Sequence, residues 1–213
     1  MKFSEILKSM EYRYGVNKIF RGRRRFIKEL VEVKAIEDYK YKMPSDGVIY
    51  DLATGHGMLA ATLALWKPRS LCIGVDKQYR KHWDNFYSIQ NLLFIQGDIF
   101  NMDYVLEPDF IVSVHPCREL AFEVCNTAIK YNAPLILMPC CVSLKLLKEY
   151  TNNPGLSSFI KAYNHVKVEE DRKYVNWVAL LAYHLETNGY TVSVRRPKYL
   201  TDLTPKSMII YAR

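Results

Sequence analysis

The stretch from residue 48 to residue 65 limits the possible folds more than any other part of the chain. Val48, Ile49, Tyr50, Leu52 and Ala53 form an apolar run broken by one acid, Asp51, the pattern of a strand covered on both faces. Met58-Leu59-Ala60-Ala61-Thr62-Leu63-Ala64-Leu65 is rich in good helix formers. The backbone between them must turn sharply. Gly55 and Gly57 allow conformations closed to other residues and let the main chain approach a ligand closely, while the helix start offers free N–H groups to an anionic or polar group.

The acids that follow repeat strand by strand. Leu71-Cys72-Ile73-Gly74-Val75 reads as a second strand ending on Asp76, placed where doubly wound folds hydrogen-bond a ribose. Leu92-Leu93-Phe94-Ile95-Gln96 reads as a third, followed by Gly97-Asp98-Ile99, so another carboxylate stands at the strand edge where open sheets bind ligands. With this ordered set the chain resembles the class I S-adenosylmethionine-dependent methyltransferases. The resemblance implies a cofactor site of Asp51, Ala53, Thr54, Gly55, His56 and Gly57, with Asp76 and Lys77 on the ribose side, Asp98 and Ile99 on the adenine side, and His115 nearby. It implies S-adenosyl-L-methionine as cofactor and a Rossmann-like α/β fold: a seven-stranded sheet, mostly parallel, with the last strand antiparallel. A nicotinamide-binding Rossmann fold is the alternative, although Ala60 stands where G-x-G-x-x-G has its third glycine.

The 213 residues suit one α/β domain with a small appendage, and 49% hydrophobic residues are ample for its core. The chain holds no apolar run of about 18 residues, and residues 1–8 lack the apolar core of a signal peptide, so the expectation is a cytoplasmic protein without membrane association. Five cysteines, mostly inside apolar segments, suit reduced thiols better than a disulfide framework.

Charge is unevenly placed. Residues 1–45 hold 12 Lys and Arg against 6 Asp and Glu, leaving 18 against 16 for residues 46–213. The expected organisation is a basic N-terminal helical cap over 1–45 and a methyltransferase domain over 46–213, separated by the turn Met43-Pro44-Ser45-Asp46-Gly47. Phe3, Ile6, Leu7 and Met10 space a first helix over 1–14. A second helix from near Gly22 to about Tyr39 puts Arg24, Arg25 and Lys28 on one face and Phe26, Leu30 and Val33 on another. Arg21, Arg23, Arg24, Arg25 and Lys28 are the candidate RNA-binding residues, a solvated helix surface being the alternative.

After three strand and helix units, Asp109 to Val114 reads as a fourth strand running into His115-Pro116-Cys117-Arg118, then a helix from about Glu119 to Tyr131. Pro134 to Met138 reads as a fifth strand ending in Pro139-Cys140-Cys141. In the methyltransferase strand order the two cysteine-bearing ends are neighbours, near the cofactor's reactive methyl. The cysteines read in four ways. They are small buried hydrophobes; or, with His115, a metal site, which the adjacent pair Cys140-Cys141 makes poor by spacing, so no metal is expected. They are a thiolate nucleophile, by analogy with RNA cytosine-C5 methyltransferases, requiring a lowered pKa; or they shape an acceptor pocket with His115 as a possible base.

The last reading follows from a second resemblance. A run Leu-His-x-Cys-Gly-Asp, a helix, then a strand ending in Pro-Cys-Cys is similar to the methyltransferase-like 25 family and, more distantly, to certain tRNA 2'-O-methyltransferases. Here it covers about residues 48–141 and departs from the pattern at Arg118-Glu119, where Gly-Asp is commoner, and at His56, where Lys is frequent. Candidate catalytic residues are thus His115, Cys117, Cys140 and Cys141.

Residues 142–171 read as a lid or substrate segment with helices over 143–150 and 157–164. Val175, Val178, Leu181, Ala182 and Leu185 mark an amphipathic helix stopping at Asn188-Gly189, and residues 191–194 and 207–211 supply a final antiparallel strand pair. The expected function is methyl transfer to RNA, tRNA or rRNA. Small-molecule or protein methylation, and a non-catalytic partner role, are the rivals.

Overall fold

The structure, a computed structural model, describes residues 25–150, 154–156, 172–197 and 206–213, with side chains from residue 28 onward. The expected helices over 1–14 and 157–164, much of the lid segment, and Arg21, Arg23 and Arg24 lie outside the described residues. The chain forms two compact units, residues 1–114 and 115–213.

In the first unit, helix α1 spans Arg25–Ile36 and continues into a 3-10 turn at Glu37–Tyr39. It buries Val33, Ala35 and Ile36 and leaves Lys28 exposed beside Glu32, 3.4 Å away. Of the expected charged face only Lys28 has a described side chain, and Glu32, one turn along from it, is 2% exposed. Strand β1 (Gly47–Leu52) leads into helix α2 (Met58–Trp66), then β2 (Ser70–Asp76), β3 (Leu92–Gln96) and β4 (Phe110–Val114). β1 pairs in parallel with β2 and β4, and β2 pairs in parallel with β3. Ile49, Leu52, Leu63, Val75 and Ile111 are fully buried, and each such side chain contributes roughly 1.5–3 kcal/mol by leaving water.

The expected helices after the second and third strands are absent. A 3-10 turn, Trp83–Phe86, stands between β2 and β3, and another, Ile99–Asn101, between β3 and β4. Residues 77–91 carry four aromatic side chains together with Asp84, Asn85, Ser88 and Asn91, which favour turns and caps over helix interiors, and residues 97–109 are too few for a helix with two loops. Trp83 and Phe86 bury their rings instead, with Trp83 stacked on Phe94 at 5.0 Å and 7°. Asn91 adds a polar tie: its Nδ2 donates to the carbonyls of Ala64, Lys67 and Ser70 and so holds the end of α2 and its exit loop.

In the second unit, α3 (Glu119–Tyr131) precedes β5 (Leu135–Met138), α4 (Leu144–Tyr150), α5 (Arg172–Thr187), β6 (Val192–Arg195) and β7 (Ile209–Ala212). β7 runs antiparallel to both β5 and β6. The strand order is β3-β2-β1-β4-β5-β7-β6, the expected seven-stranded sheet with its last strand reversed. α5 buries more than the expected stripe: Trp177, Ala179 and Leu180 are enclosed along with Val178, Leu181 and Leu185. Among the described residues no helix is long and apolar enough to cross a membrane.

Candidate functional site

The turn after β1 is held by hydrogen bonds that the sequence pattern does not display. Asp51 is 2% exposed; its Oδ2 accepts from Thr54 Oγ1 at 2.5 Å. Burial pushes its carboxyl up from 3.8 to about 7, the Thr54 hydroxyl and the Ala60 amide oppose that rise, and the charge of Asp76 adds to it. Thr54 N donates to Val75 O at 2.9 Å, tying the turn to β2. Asp51 and Thr54 are thus internal braces of the loop, and Asp76 is the carboxylate nearer solvent.

Asp76 stands half-buried at the end of β2. Its Oδ2 accepts from Gly55 N at 3.0 Å and its Oδ1 from Gln78 N at 3.0 Å. A carboxylate oxygen has two lone-pair directions, so each oxygen keeps one for a ligand hydroxyl. The two glycines, alike in the sequence, separate here. Gly55 has φ +55° and a Cβ placed on it meets nothing within 4 Å, so open space lies above it. Gly57 has φ +84°, and a Cβ there falls 2.5 Å from Phe94 Cζ and 3.1 Å from Trp83 Cδ1. Gly55 leaves room for a ligand, whereas Gly57 leaves room for the protein's own rings. Ala53, with φ 62°, shares the left-handed backbone of the turn.

Trp83, which the sequence did not single out, donates from Nε1 to Gly55 O at 3.0 Å and so walls the glycine turn. His56 Nδ1 lies 3.6 Å from Glu29 Oε1, and its ring is 5.4 Å from that of His82. On the far side, Asp98 Oδ2 accepts from Lys77 Nζ at 2.7 Å, and the backbone N–H of Phe100 donates to Asp98 Oδ1 at 3.3 Å. The Lys77 ammonium holds the Asp98 carboxyl below its ordinary value. Ile99 is 5% exposed, so its side chain is part of the packed interior. A cavity of about 410 Å³ opens beside Asp98, lined by Tyr50, Ile73, Ile95, Gln96 and Met102 among others; none of Asp51, Gly55, Gly57 and Asp76 lines it.

In the second unit the expected cysteines come together. Cys117 Sγ and Cys140 Sγ are 3.5 Å apart, as are Cys140 Sγ and Cys141 Sγ, and all three sulfurs lie within 4.8 Å of one another. The thiols of Cys117 and Cys140 both direct toward His115 O at 3.7 Å. Burial and neighbouring thiols push Cys140 upward, and burial foremost does the same to Cys117. These shifts run opposite to the lowered pKa a thiolate nucleophile requires. His115 adopts φ 63°, donates its backbone N–H to Met138 O at 2.9 Å, and has both ring nitrogens buried.

Arg118, the departure from the Gly-Asp pattern, has φ 54° and ψ −125° at the N-cap of α3. That is a glycine conformation, so the commoner glycine has a backbone reason. Glu119 accepts from Ser143 Oγ at 2.6 Å and fixes the loop after β5 to the start of α3.

No protein-family model and no curated protein matches this sequence. Solved structures do resemble it. The plantazolicin methyltransferase BpumL in complex with SAH matches with a TM-score of 0.51 at 13% identity, over 99% of this chain and 97% of that one. BpumL with a pentazolic desmethylPZN analogue and SAH gives 0.52 at 12%, over 99% and 92%. The apo S-adenosylmethionine-dependent methyltransferase SibL gives 0.53 at 12%, over 99% of this chain and 60% of that one. Identities this low bear on architecture alone. The chain has the Rossmann-like fold of these methyltransferases.

Proposed function

We propose that this protein is an S-adenosylmethionine-dependent methyltransferase whose acceptor is RNA. The observation that carries the cofactor is the arrangement at the end of β2, where Asp76 keeps free lone pairs beside the open space above Gly55. Those features fit a ribose diol against the carboxylate with the rest of the nucleoside passing over the glycine turn. BpumL, of the same fold, was solved with SAH, the demethylated cofactor. The sulfonium methyl is already activated, so the chain's residues contribute mainly by holding the reacting atoms close and in line. The two backbone bonds to Asp76 keep its carboxylate oriented before any ligand arrives.

RNA rests on separate support, the excess of Lys and Arg in residues 1–45, which attracts phosphate backbones. Incubating the protein with methyl-labelled S-adenosylmethionine and total RNA, then analysing nucleosides by mass spectrometry, tests both parts. Label in a nucleoside supports the whole proposal. Label appearing only in protein or small molecules from a matched extract replaces the acceptor, and absence of cofactor binding by calorimetry removes the enzyme.

A further inference from the structure

Cys117, Cys140 and Cys141 have no assigned task once a nucleophilic role is set aside. They come from two loops, one entering α3 and one leaving β5, and those loops are bonded to each other. His115 N donates to Met138 O at 2.9 Å and Arg118 N to Cys141 O at 3.2 Å. Tyr174 Oη donates to Pro139 O at 3.0 Å, and Ser143 Oγ to Glu119 at 2.6 Å. The backbone is forced to make this meeting: His115 and Arg118, on either side of Cys117, both hold positive φ. Such conformations are costly for residues other than glycine and persist where surrounding contacts enforce them.

We propose that the three sulfurs form a binding site for one thiophilic d10 cation, Zn(II) or Cu(I), with Cys117 at its solvent-facing side. A metal–sulfur bond of about 2.3 Å places three sulfurs roughly 3.8 Å apart around a tetrahedral centre and about 4.0 Å apart around a trigonal one. The observed separations are 3.5 Å for two edges and no more than 4.8 Å for any. The two 3.5 Å edges need to open by a few tenths of an ångström and the third to close by up to about 1 Å, adjustments that side-chain torsions supply. Adjacency of Cys140 and Cys141 argued against a closed four-ligand site from sequence, but it does not prevent three-sulfur binding. An all-thiolate set selects soft cations over Mg²⁺ or Ca²⁺. On binding, three S–H protons leave to solvent as three metal–sulfur bonds form, and the remaining coordination position of a tetrahedral ion falls to water. Cys117 is exposed while Cys140 and Cys141 are half-buried, so the open position faces outward.

The test uses the full chain, without a histidine tag, reduced and stripped of metal. Equilibrium dialysis against Zn(II), and competition with a Cu(I)-specific chelator, should each be tried, with Co(II) as optical probe. One cation per chain, with thiolate-to-cobalt charge-transfer absorption, is the expected result, and the two arms decide which ion binds more tightly. Cys117→Ser and Cys140→Ser should each weaken binding at least tenfold, and Cys72→Ala, buried in β2, should leave it unchanged. If a variant folds poorly, protection of the wild-type thiols reports instead: saturating Zn(II) should slow alkylation of Cys117, Cys140 and Cys141, mapped by mass spectrometry. No retained cation, equal loss in Cys72→Ala, or alkylation indifferent to metal would each overturn the site. So would recovery of the reduced protein as a Cys117–Cys140 disulfide that forms as fast with saturating Zn(II) as without it. None of these readouts depends on methyl transfer.

Discussion

Asp51 offers the sharpest test of the site's electrostatics. In the unfolded chain its carboxyl titrates near 3.8, and in the folded protein burial lifts it to about 7. The folded state therefore holds the proton more tightly, and stability from this group is greatest in acid and declines as pH rises toward 7. Between pH 5 and pH 7 the unfolded chain is already ionised at this position, while the folded one passes from protonated to half-ionised. The loss from pH 5 approaches two pH units at 1.36 kcal/mol each, about 2.7 kcal/mol, by pH 8, where the folded carboxyl is ionised as well. Other carboxylates titrate too, so the measurement is a difference: urea unfolding of the wild type and of Asp51→Asn at pH 5, 6, 7 and 8. At pH 5 the variant should be less stable by about 1 kcal/mol, because an amide satisfies Thr54 Oγ1 and the Ala60 amide less well than a carboxyl. By pH 8 it should be the more stable of the two, with the gap having moved by about 2.7 kcal/mol. Parallel curves would mean that Asp51 ionises freely when folded, and the account of the loop as braced by a buried, partly protonated acid would be wrong. Under the proposed function the ligand is cationic, so its binding near pH 6.5 should also release protons, seen as a buffer-dependent heat.

Four further outcomes are expected. Asp76→Ala should weaken S-adenosylmethionine binding by about 1–3 kcal/mol in calorimetry, and unchanged affinity would remove Asp76 from the site. Gly57→Ala should cost about 3 kcal/mol in thermal or urea unfolding, since its Cβ meets Phe94 and its φ is left-handed, whereas Gly55→Ala should cost only about 1 kcal/mol yet lower ligand affinity at least tenfold; equal stability losses would contradict the different roles of the two glycines. Arg118→Gly should raise stability by about 1 kcal/mol, the relief of backbone strain exceeding glycine's entropic cost of roughly 0.5–1 kcal/mol. Reversing charge at Arg24, Arg25 and Lys28 together should weaken RNA binding and flatten its salt dependence in filter-binding assays, and an unaltered slope would assign that helix face to solvent.

Much of the architecture was legible one segment at a time. Apolar runs of four to seven residues bounded by Gly, Pro and acids marked the central strands, because burial on both faces leaves no polar alternation to blur them. Local chemistry also marked the helix stops and the acids at strand ends. It misled between residues 77 and 109, where aromatic side chains fill the space a helix would occupy and no periodic pattern announces that.

The succession of strands along the chain, the glycine turn and the sequence of acids Asp51, Asp76, Asp98 follow from the sequence alone, since each depends on neighbours within one strand and its loop. Tertiary structure decided what those residues do. Gly57 and Phe94 are 37 positions apart, Gly55 and Asp76 are 21, and Cys117 and Cys140 are 23. Whether a glycine faces a ligand or a ring, whether a carboxyl is buried, and whether three thiols converge depend on which distant segments pack together. That packing has no local signature, because the same short pattern serves either outcome.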